Sequence, residues 1–309
     1  MPSPYDAVII GAGTAGLSAA VLLGRSRRRV LVLDGGPPRN APAPAAHNVF
    51  TRDGTPPLDL LRMARADLAA YPNAEVREGR AVGVEGAEEA FVVALDDGAE
   101  VAARQVVLAT GVVDELPEWP GVRELWGGTV FHCPYCHGWE VRERPLAVAM
   151  NGPDAADRVV LLRAWSDDVV LLTDGPSEVG AEGQATLDAL GAETVEAPVA
   201  ELVGDGDQLR AVRFADGTEV ERGGLLLSPP QREASGLAAA LGCETTETGH
   251  VAATMGRTSV PGVWAAGDLT TPLQSVASAA AQGSTAGAML NHALAHADAE
   301  DQTHRPGVR

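Results

Sequence analysis

The chain opens on an apolar run rich in β-branched residues, Tyr5-Asp6-Ala7-Val8-Ile9-Ile10, which passes through Gly11-Ala12-Gly13-Thr14-Ala15-Gly16 into a helical stretch ending near Leu23. Such an order predicts strand, glycine turn and helix. A second apolar strand, Val30-Leu31-Val32-Leu33, ends in Asp34. Gly35 to Ala46 is rich in proline, alanine and glycine and reads as a loop. Apolar residues return at helical spacing from Leu58 to Tyr71, where Pro72-Asn73 ends the helix. From Glu75 to Ala109 the pattern is short strands with turns at Glu85-Gly86 and Asp96-Asp97-Gly98, closing on Val106-Val107-Leu108-Ala109 and Thr110-Gly111.

After Pro117, Pro120 and Pro145 the same plan begins again. Leu146 to Met150 predicts a strand, Asn151 to Ala156 a turn, Arg158 to Trp165 a helix and Val169 to Leu172 a strand that ends in Thr173-Asp174-Gly175. Glu193 to Arg222 repeats the meander, and Gly224-Leu225-Leu226-Leu227-Ser228 takes the place of the first closing strand. The last quarter carries a strand running into Trp264-Ala265-Ala266-Gly267-Asp268, then an Ala-rich helix from Leu273 to Asn291 with Gln274 at its start. The tail from Asp298 reads as frayed.

The first glycine turn has the chemistry of a dinucleotide site. Gly11 permits the tight turn, Gly13 lets backbone approach a pyrophosphate, Gly16 lets helix and strand pack, and the helix N-terminus faces the phosphate charge. Asp34 stands about 20 residues on, where an acid hydrogen-bonds the ribose. Arg39 and Asn40 are placed in the loop near the dinucleotide, though loop solvation explains them equally well. In the second copy Asn151 and Pro153 occupy the places of the first two glycines, and proline offers no N–H and cannot adopt positive φ. That copy reads as a damaged nucleotide site.

Between the copies lies His132-Cys133-Pro134-Tyr135-Cys136-His137-Gly138-Trp139-Glu140. Two cysteines three residues apart on a first helical turn can close a small disulfide, and a helix N-terminus favours the thiolate. Cys-x-x-Cys is also half of a zinc site, but closed zinc needs four ligands, and Cys243 stands alone, so no metal is expected. His132 and His137 flank the pair, and an imidazole, whose ordinary pKa lies near neutrality, suits a thiol proton carrier.

Composition narrows the partners. The chain of 309 residues is long enough for two cores, and a formal charge of -19 argues against nucleic acid and anionic membranes. Every basic residue is arginine, which removes lysine chemistry from consideration. Three cysteines, two of them in one motif, fit a reducing compartment, and no apolar run reaches bilayer length, so a cytoplasmic protein is expected.

Taken together, these motifs resemble the thioredoxin-reductase-like flavoproteins over roughly residues 5 to 295. The resemblance implies an α/β protein of two Rossmann-like domains. The FAD domain is discontinuous, residues 1–116 and 245–309, and residues 117–244 form an NAD(P)-binding-like domain carrying the cysteines. It further implies that Gly11, Gly13, Thr14, Ala15, Gly16 and Asp34 hold the ADP half of FAD, that Ala109-Thr110-Gly111 closes over it, and that Gly267, Asp268 and Gln274 contact the rest. A homodimer is expected on the same ground. Cys-Pro-Tyr-Cys-His-Gly-Trp-Glu is similar to the sulfhydryl oxidases that install the disulfide of natural products such as gliotoxin and holomycin. The expected reaction is oxidation of a small-molecule dithiol at Cys133 and Cys136, with O2 as acceptor. A disulfide reductase fed by NADH or a protein donor, and a redox sensor without turnover, are the alternatives.

Overall fold

The computed structural model describes residues 4–304. In chain order the first stretch is β1 (Tyr5–Ile10), α1 (Thr14–Arg25), β2 (Val30–Asp34), α2 (Pro57–Leu68), β3 (Ala74–Glu78), β4 (Ala81–Glu85), β5 (Phe91–Leu95), β6 (Glu100–Leu108) and β7 (Val112–Asp114). It continues with α3 (Val122–Leu125), β8 (Val130–Phe131), α4 (Pro134–His137), β9 (Leu146–Ala149), α5 (Ala155–Leu162), β10 (Val169–Leu172), α6 (Gly180–Leu190) and β11 (Thr194–Val195). The remainder is β12 (Val199–Asp205), β13 (Gln208–Phe214), β14 (Glu219–Glu221), β15 (Gly224–Leu227), β16 (Gln231–Glu233), α7 (Leu237–Ala240), β17 (Val263–Ala265) and α8 (Val276–His304). They form two compact units, the first from the segments up to Arg39, Val49–Val113 and Arg232 onward, the second from Asn40–Asn48 and Asp114–Gln231.

In the first unit the sheet order is β3-β2-β1-β6-β5-β4, with β17 also on β6. The strands β3, β2, β1, β6 and β17 run parallel, and their register aligns Ile10 with Leu33 and Leu108, and Leu108 with Ala265. Each of those residues ends an apolar run, so the residues that follow meet at one edge: Gly11, Asp34, Ala109 and the Ala266-Gly267 turn. In open parallel sheets ligands bind outside the carboxyl ends of the strands, where the order changes direction.

The second unit repeats the plan. Its parallel sheet is β11-β10-β9-β15-β8, and the antiparallel meander β12-β13-β14 corresponds to β4-β5-β6. Within it, Val130, Ala147, Val170, Leu172, Leu202 and Val212 share one buried cluster, while Phe131, Val148, Val159 and Leu171 share another on the opposite face.

Several boundaries differ from the sequence expectation. The units divide at residues 113/114 and 231/232 rather than 116/117 and 244/245, because Leu237, Ala238 and Cys243 bury themselves in the first unit's core. Residues 40–48 group with the second unit. Of the tail expected to fray over residues 298–309, the part up to His304 continues helix α8 and the rest lies outside the described residues; the Asp298 carboxylate pairs with Arg28 at 2.6 Å and Arg104 at 2.8 Å. Gln274 precedes this helix rather than lying in its first turn.

Candidate redox site and dinucleotide cradle

Helix α4 is a single turn with Cys133 at its N-cap and Pro134 at its first position, where proline's fixed φ suits a helix start. The N–H groups of Cys136 and His137 both donate to the Cys133 carbonyl, at 3.1 and 3.2 Å. This turn brings the Cα atoms of Cys133 and Cys136 to 5.3 Å, and the two sulfurs form a disulfide. A dipole built from so few peptides is small, so the helix contributes little to holding a thiolate here. Gly138 is required here for close packing: a Cβ would stand 2.5 Å from the Pro134 carbonyl oxygen and 2.8 Å from Trp165. The Trp165 ring meets Tyr135 edge-on at 5.7 Å, while Tyr135 and Trp139 are each 65% exposed beside the disulfide.

His137 stacks on Phe131 at 5.7 Å, and its Nε2 lies 3.0 Å from the Gly127 carbonyl oxygen. A carbonyl only accepts, so Nε2 carries the proton and Nδ1 keeps its lone pair. Nδ1 is buried without a hydrogen-bond partner. Burial lowers the pKa of His137 below the ordinary imidazole value, opposed more weakly by its approach to the Gly127 and Cys133 backbone and by the Glu140 charge. The imidazole is therefore a neutral base whose lone pair is unspent. His132 stands beside Trp126, with ring centroids 6.3 Å apart, and is partly buried.

Residues 40–48 lie along this motif. Asn48 Nδ2 donates to the Tyr135 carbonyl at 2.8 Å, and His47 Nε2 lies 3.4 Å from the Glu140 carboxylate. Gly127, at φ +85°, is packed so closely on the segment that a Cβ would meet Pro42 at 2.9 Å. His47, Asn48 and Gly127 carry no motif signal in the sequence, which singled out only Arg39 and Asn40 of the preceding loop. Asn40, expected near the dinucleotide, belongs to the second unit and is exposed, its carbonyl accepting from the Ala43 N–H.

The other predicted cradle residues fall together in the first unit. Gly11 has φ +114°, and a Cβ there would stand 2.3 Å from the Ala109 carbonyl oxygen. Gly16 lies against the Gly11 carbonyl, at 1.9 Å from an added Cβ. At Gly13, by contrast, a Cβ would meet nothing within 4 Å, and no side chain caps the N–H groups of α1. Thr14 begins the helix, and the buried Ala15 beside it receives Gly283 of α8, whose added Cβ would be 2.0 Å from the Ala15 carbonyl oxygen. That crossing seats the Gly267-Asp268 turn beside α1, and Gln282 Oε1 holds it by accepting from the Gly267 N–H at 3.0 Å. Arg39 donates to Asp268 at 3.2 Å and to Gln274. Thr110 meets Ser235 at 3.3 Å, and Gly111 takes φ +68° with open space around it.

Asp34 accepts from the Gly36 N–H at 3.1 Å and from Arg65, on the wall of an open cleft of about 440 Å³ also lined by Pro38 and Leu61. An uncapped helix start, a glycine facing open space and an acid at the end of the next strand fit the ADP half of FAD. Arg65 and Gln282 carried no motif signal.

The corresponding turn of the second unit is closed by its own side chains. Asn151 Oδ1 accepts from the N–H groups of Gly152 at 2.9 Å and Glu178 at 2.8 Å, and its Nδ2 donates to the Pro176 carbonyl at 2.9 Å. Positive φ falls on Gly152, at +100°, one place later than its counterpart in β1–α1. At the end of β10, Asp174 accepts from the Val199 N–H at 2.6 Å, so that acid holds backbone.

Residues 5–283 match the family model described as pyridine nucleotide-disulphide oxidoreductase. The chain belongs to this family. It is 33% identical to the thioredoxin reductase sirT of Leptosphaeria maculans, covering 96% of each chain, and 34% identical to the thioredoxin reductase tcpT of Claviceps purpurea, covering 94% of each. Among solved structures it is similar to HlmI, with a TM-score of 0.93 and 42% identity over 98% of this chain and 96% of that one. An oxidoreductase from Agrobacterium tumefaciens superposes with a TM-score of 0.88 at 35% identity, over 95% and 99% of the two chains. The protein is thus a thioredoxin-reductase-like oxidoreductase, and FAD is the cofactor of this group. No helix among the described residues is long and apolar enough to cross a membrane.

Proposed function

We propose that the protein is an FAD-dependent dithiol oxidase that closes an intramolecular disulfide in a small-molecule dithiol, with O2 as the acceptor and hydrogen peroxide as the product. The observation that carries this reading is the closed turn of the second unit. The amide that would face a nicotinamide cofactor's pyrophosphate is hydrogen-bonded to Asn151, and the next residue, Pro153, has no N–H.

The cysteines do the sulfur chemistry. A substrate thiolate attacks Cys133, the Cys133–Cys136 bond breaks, and the electron pair leaves on Cys136. Nδ1 of His137 takes the substrate proton and passes it to Cys136, for which a neutral imidazole with an unspent lone pair is suited. The second substrate thiol then displaces Cys133 as a thiol and closes the product disulfide, leaving two electrons and two protons on the cysteine pair. FAD, its ADP half held by Gly11, Gly13, Gly16 and Asp34, would supply the two-electron oxidising capacity that restoring the disulfide requires. The exposed rings of Tyr135 and Trp139 offer the substrate an apolar surface beside the sulfurs. The resemblance supports a homodimer, which sedimentation of the holoenzyme would test, and the cysteine usage supports a cytoplasmic location.

Similarity to the thioredoxin reductases sirT and tcpT favours a second reading, a disulfide reductase. Anaerobic titration separates the two. A small dithiol should bleach the yellow protein within seconds while NADPH and NADH at millimolar concentration do not. Rapid bleaching by either nicotinamide, followed by reduction of an added disulfide, would establish the reductase.

A further inference from the structure

Away from both sites, helix α8 carries two histidines one turn apart. Its buried stripe is Ala286, Leu290 and Leu294, which pack into the first unit. His292 and His296 lie on the opposite side, exposed, with ring centroids 4.4 Å apart and the two Nε2 atoms 3.2 Å apart. Residues i and i+4 of a helix point the same way, so the backbone sets this approach in advance. Among the described residues no group of three or more histidine, cysteine or acidic side chains is arranged to hold a metal, so the pair would act as a bidentate ligand with water completing the shell.

We propose that His292 and His296 form a surface chelate for a divalent d-block cation such as Zn²⁺, Ni²⁺ or Cu²⁺. The separation carries the argument. Imidazole nitrogens bind Zn²⁺ at about 2.0–2.1 Å, and two of them 3.2 Å apart subtend an angle of about 100° at such an ion, close to tetrahedral. In the metal-free protein this 3.2 Å contact is a hydrogen bond between the rings, and an ion would replace its proton with both Nε2 atoms turned toward it. Imidazole suits borderline cations, whereas calcium and magnesium favour oxygen. The chain's net charge of -19 raises the local concentration of cations, and the exposed Glu300 stands one turn further along the same stripe.

The test uses untagged, FAD-loaded protein with its disulfide intact, freed of metal by a chelator and titrated calorimetrically with ZnCl2 and separately with NiCl2. One ion per chain should bind, and His292→Ala and His296→Ala should each weaken binding at least tenfold while melting as the parent does. Cu²⁺ bound to the parent should show two equatorial nitrogens by electron paramagnetic resonance, and one in either single variant. A double variant that binds Zn²⁺ as tightly as the parent, or a parent that binds neither ion, would overturn the assignment. Dithiol turnover is not part of the readout, so the outcome is independent of the proposed reaction.

Discussion

Nε2 of His137 lies 3.0 Å from the carbonyl oxygen of Gly127, and this contact sets which ring nitrogen carries the proton. Nδ1 is left as the base, buried and without a partner while the cysteines are oxidised. The carbonyl is itself held in place by Pro42, which packs on Gly127. If His137 carries the proton as proposed, a proline about 90 residues earlier in the chain helps to set its tautomer.

Replacing His137 with alanine should slow dithiol oxidation by about 10²- to 10⁴-fold, the usual worth of a lost general acid–base group. FAD content should not change. Stopped-flow kinetics across pH 5–8 would check this, and an unaltered pH–rate profile in the variant would move the proton to another group.

Stability should respond to the same residue. Burial lowers the His137 pKa, so between that value and the ordinary 6.5 the unfolded chain binds a proton that the folded chain does not. Stability therefore rises with pH through this window, and acidification costs the folded state. Melting curves of the parent and His137→Gln should converge as pH falls from 7 toward 5, if the glutamine variant starts out the less stable. A gap that widens on acidification would contradict the sign.

Gly13→Val should fold and lose its FAD, because an added side chain enters open space at the start of α1 rather than meeting protein. Gly11→Ala should instead damage the fold, since its Cβ would press on the Ala109 carbonyl oxygen. Flavin absorbance per chain and circular dichroism separate the two outcomes. A yellow Gly13→Val protein with full occupancy would displace the cofactor from this cradle.

Cys136→Ser should trap the substrate as a mixed disulfide on Cys133, visible by intact-mass spectrometry. Cys243 should stay unmodified, for it is buried and burial raises its thiol pKa. Adducts confined to Cys243 would remove the motif from the reaction.

Asn151→Ala should lower the melting temperature without admitting a nicotinamide. The substitution deletes hydrogen bonds to Gly152, Glu178 and Pro176, each worth about 1 kcal/mol net and less where water replaces it. Pro153 still offers no amide. Bleaching of the variant by NADPH would show that Asn151 alone had closed the site.

The parts of the fold that sequence made legible are those where one short pattern carries the physics. Ile10-Gly11 and Leu33-Asp34 each join a buried strand end to a residue with a geometric duty, so strand, turn and cradle could be read together. Helix α6 could not, because Gly180–Leu190 mixes alanine and glycine with scattered polar residues, has no continuous apolar face, and buries Leu187 alone among its residues. Nor could the boundary near residue 232, since the few residues of α7 choose their core by contacts with distant strands. His47 was the costliest omission. A single histidine in a proline-alanine loop has no local signature, and its partner Glu140 is brought to it by tertiary folding.

The closed turn of the second unit bears on how this chain could change in future. Asn151 and Asp174 now hold the backbone of the turns they occupy, through the Gly152, Glu178, Pro176 and Val199 contacts. Removing either one loosens the fold before any cofactor could compensate, and Pro153 would also have to give way. A nicotinamide site at this turn would require those contacts to be given up and Pro153 replaced, two changes of which the first costs stability by itself. Under the proposed function the same contacts keep the turn shut, so the residues that hold the second unit together would also decide that electrons come from the dithiol.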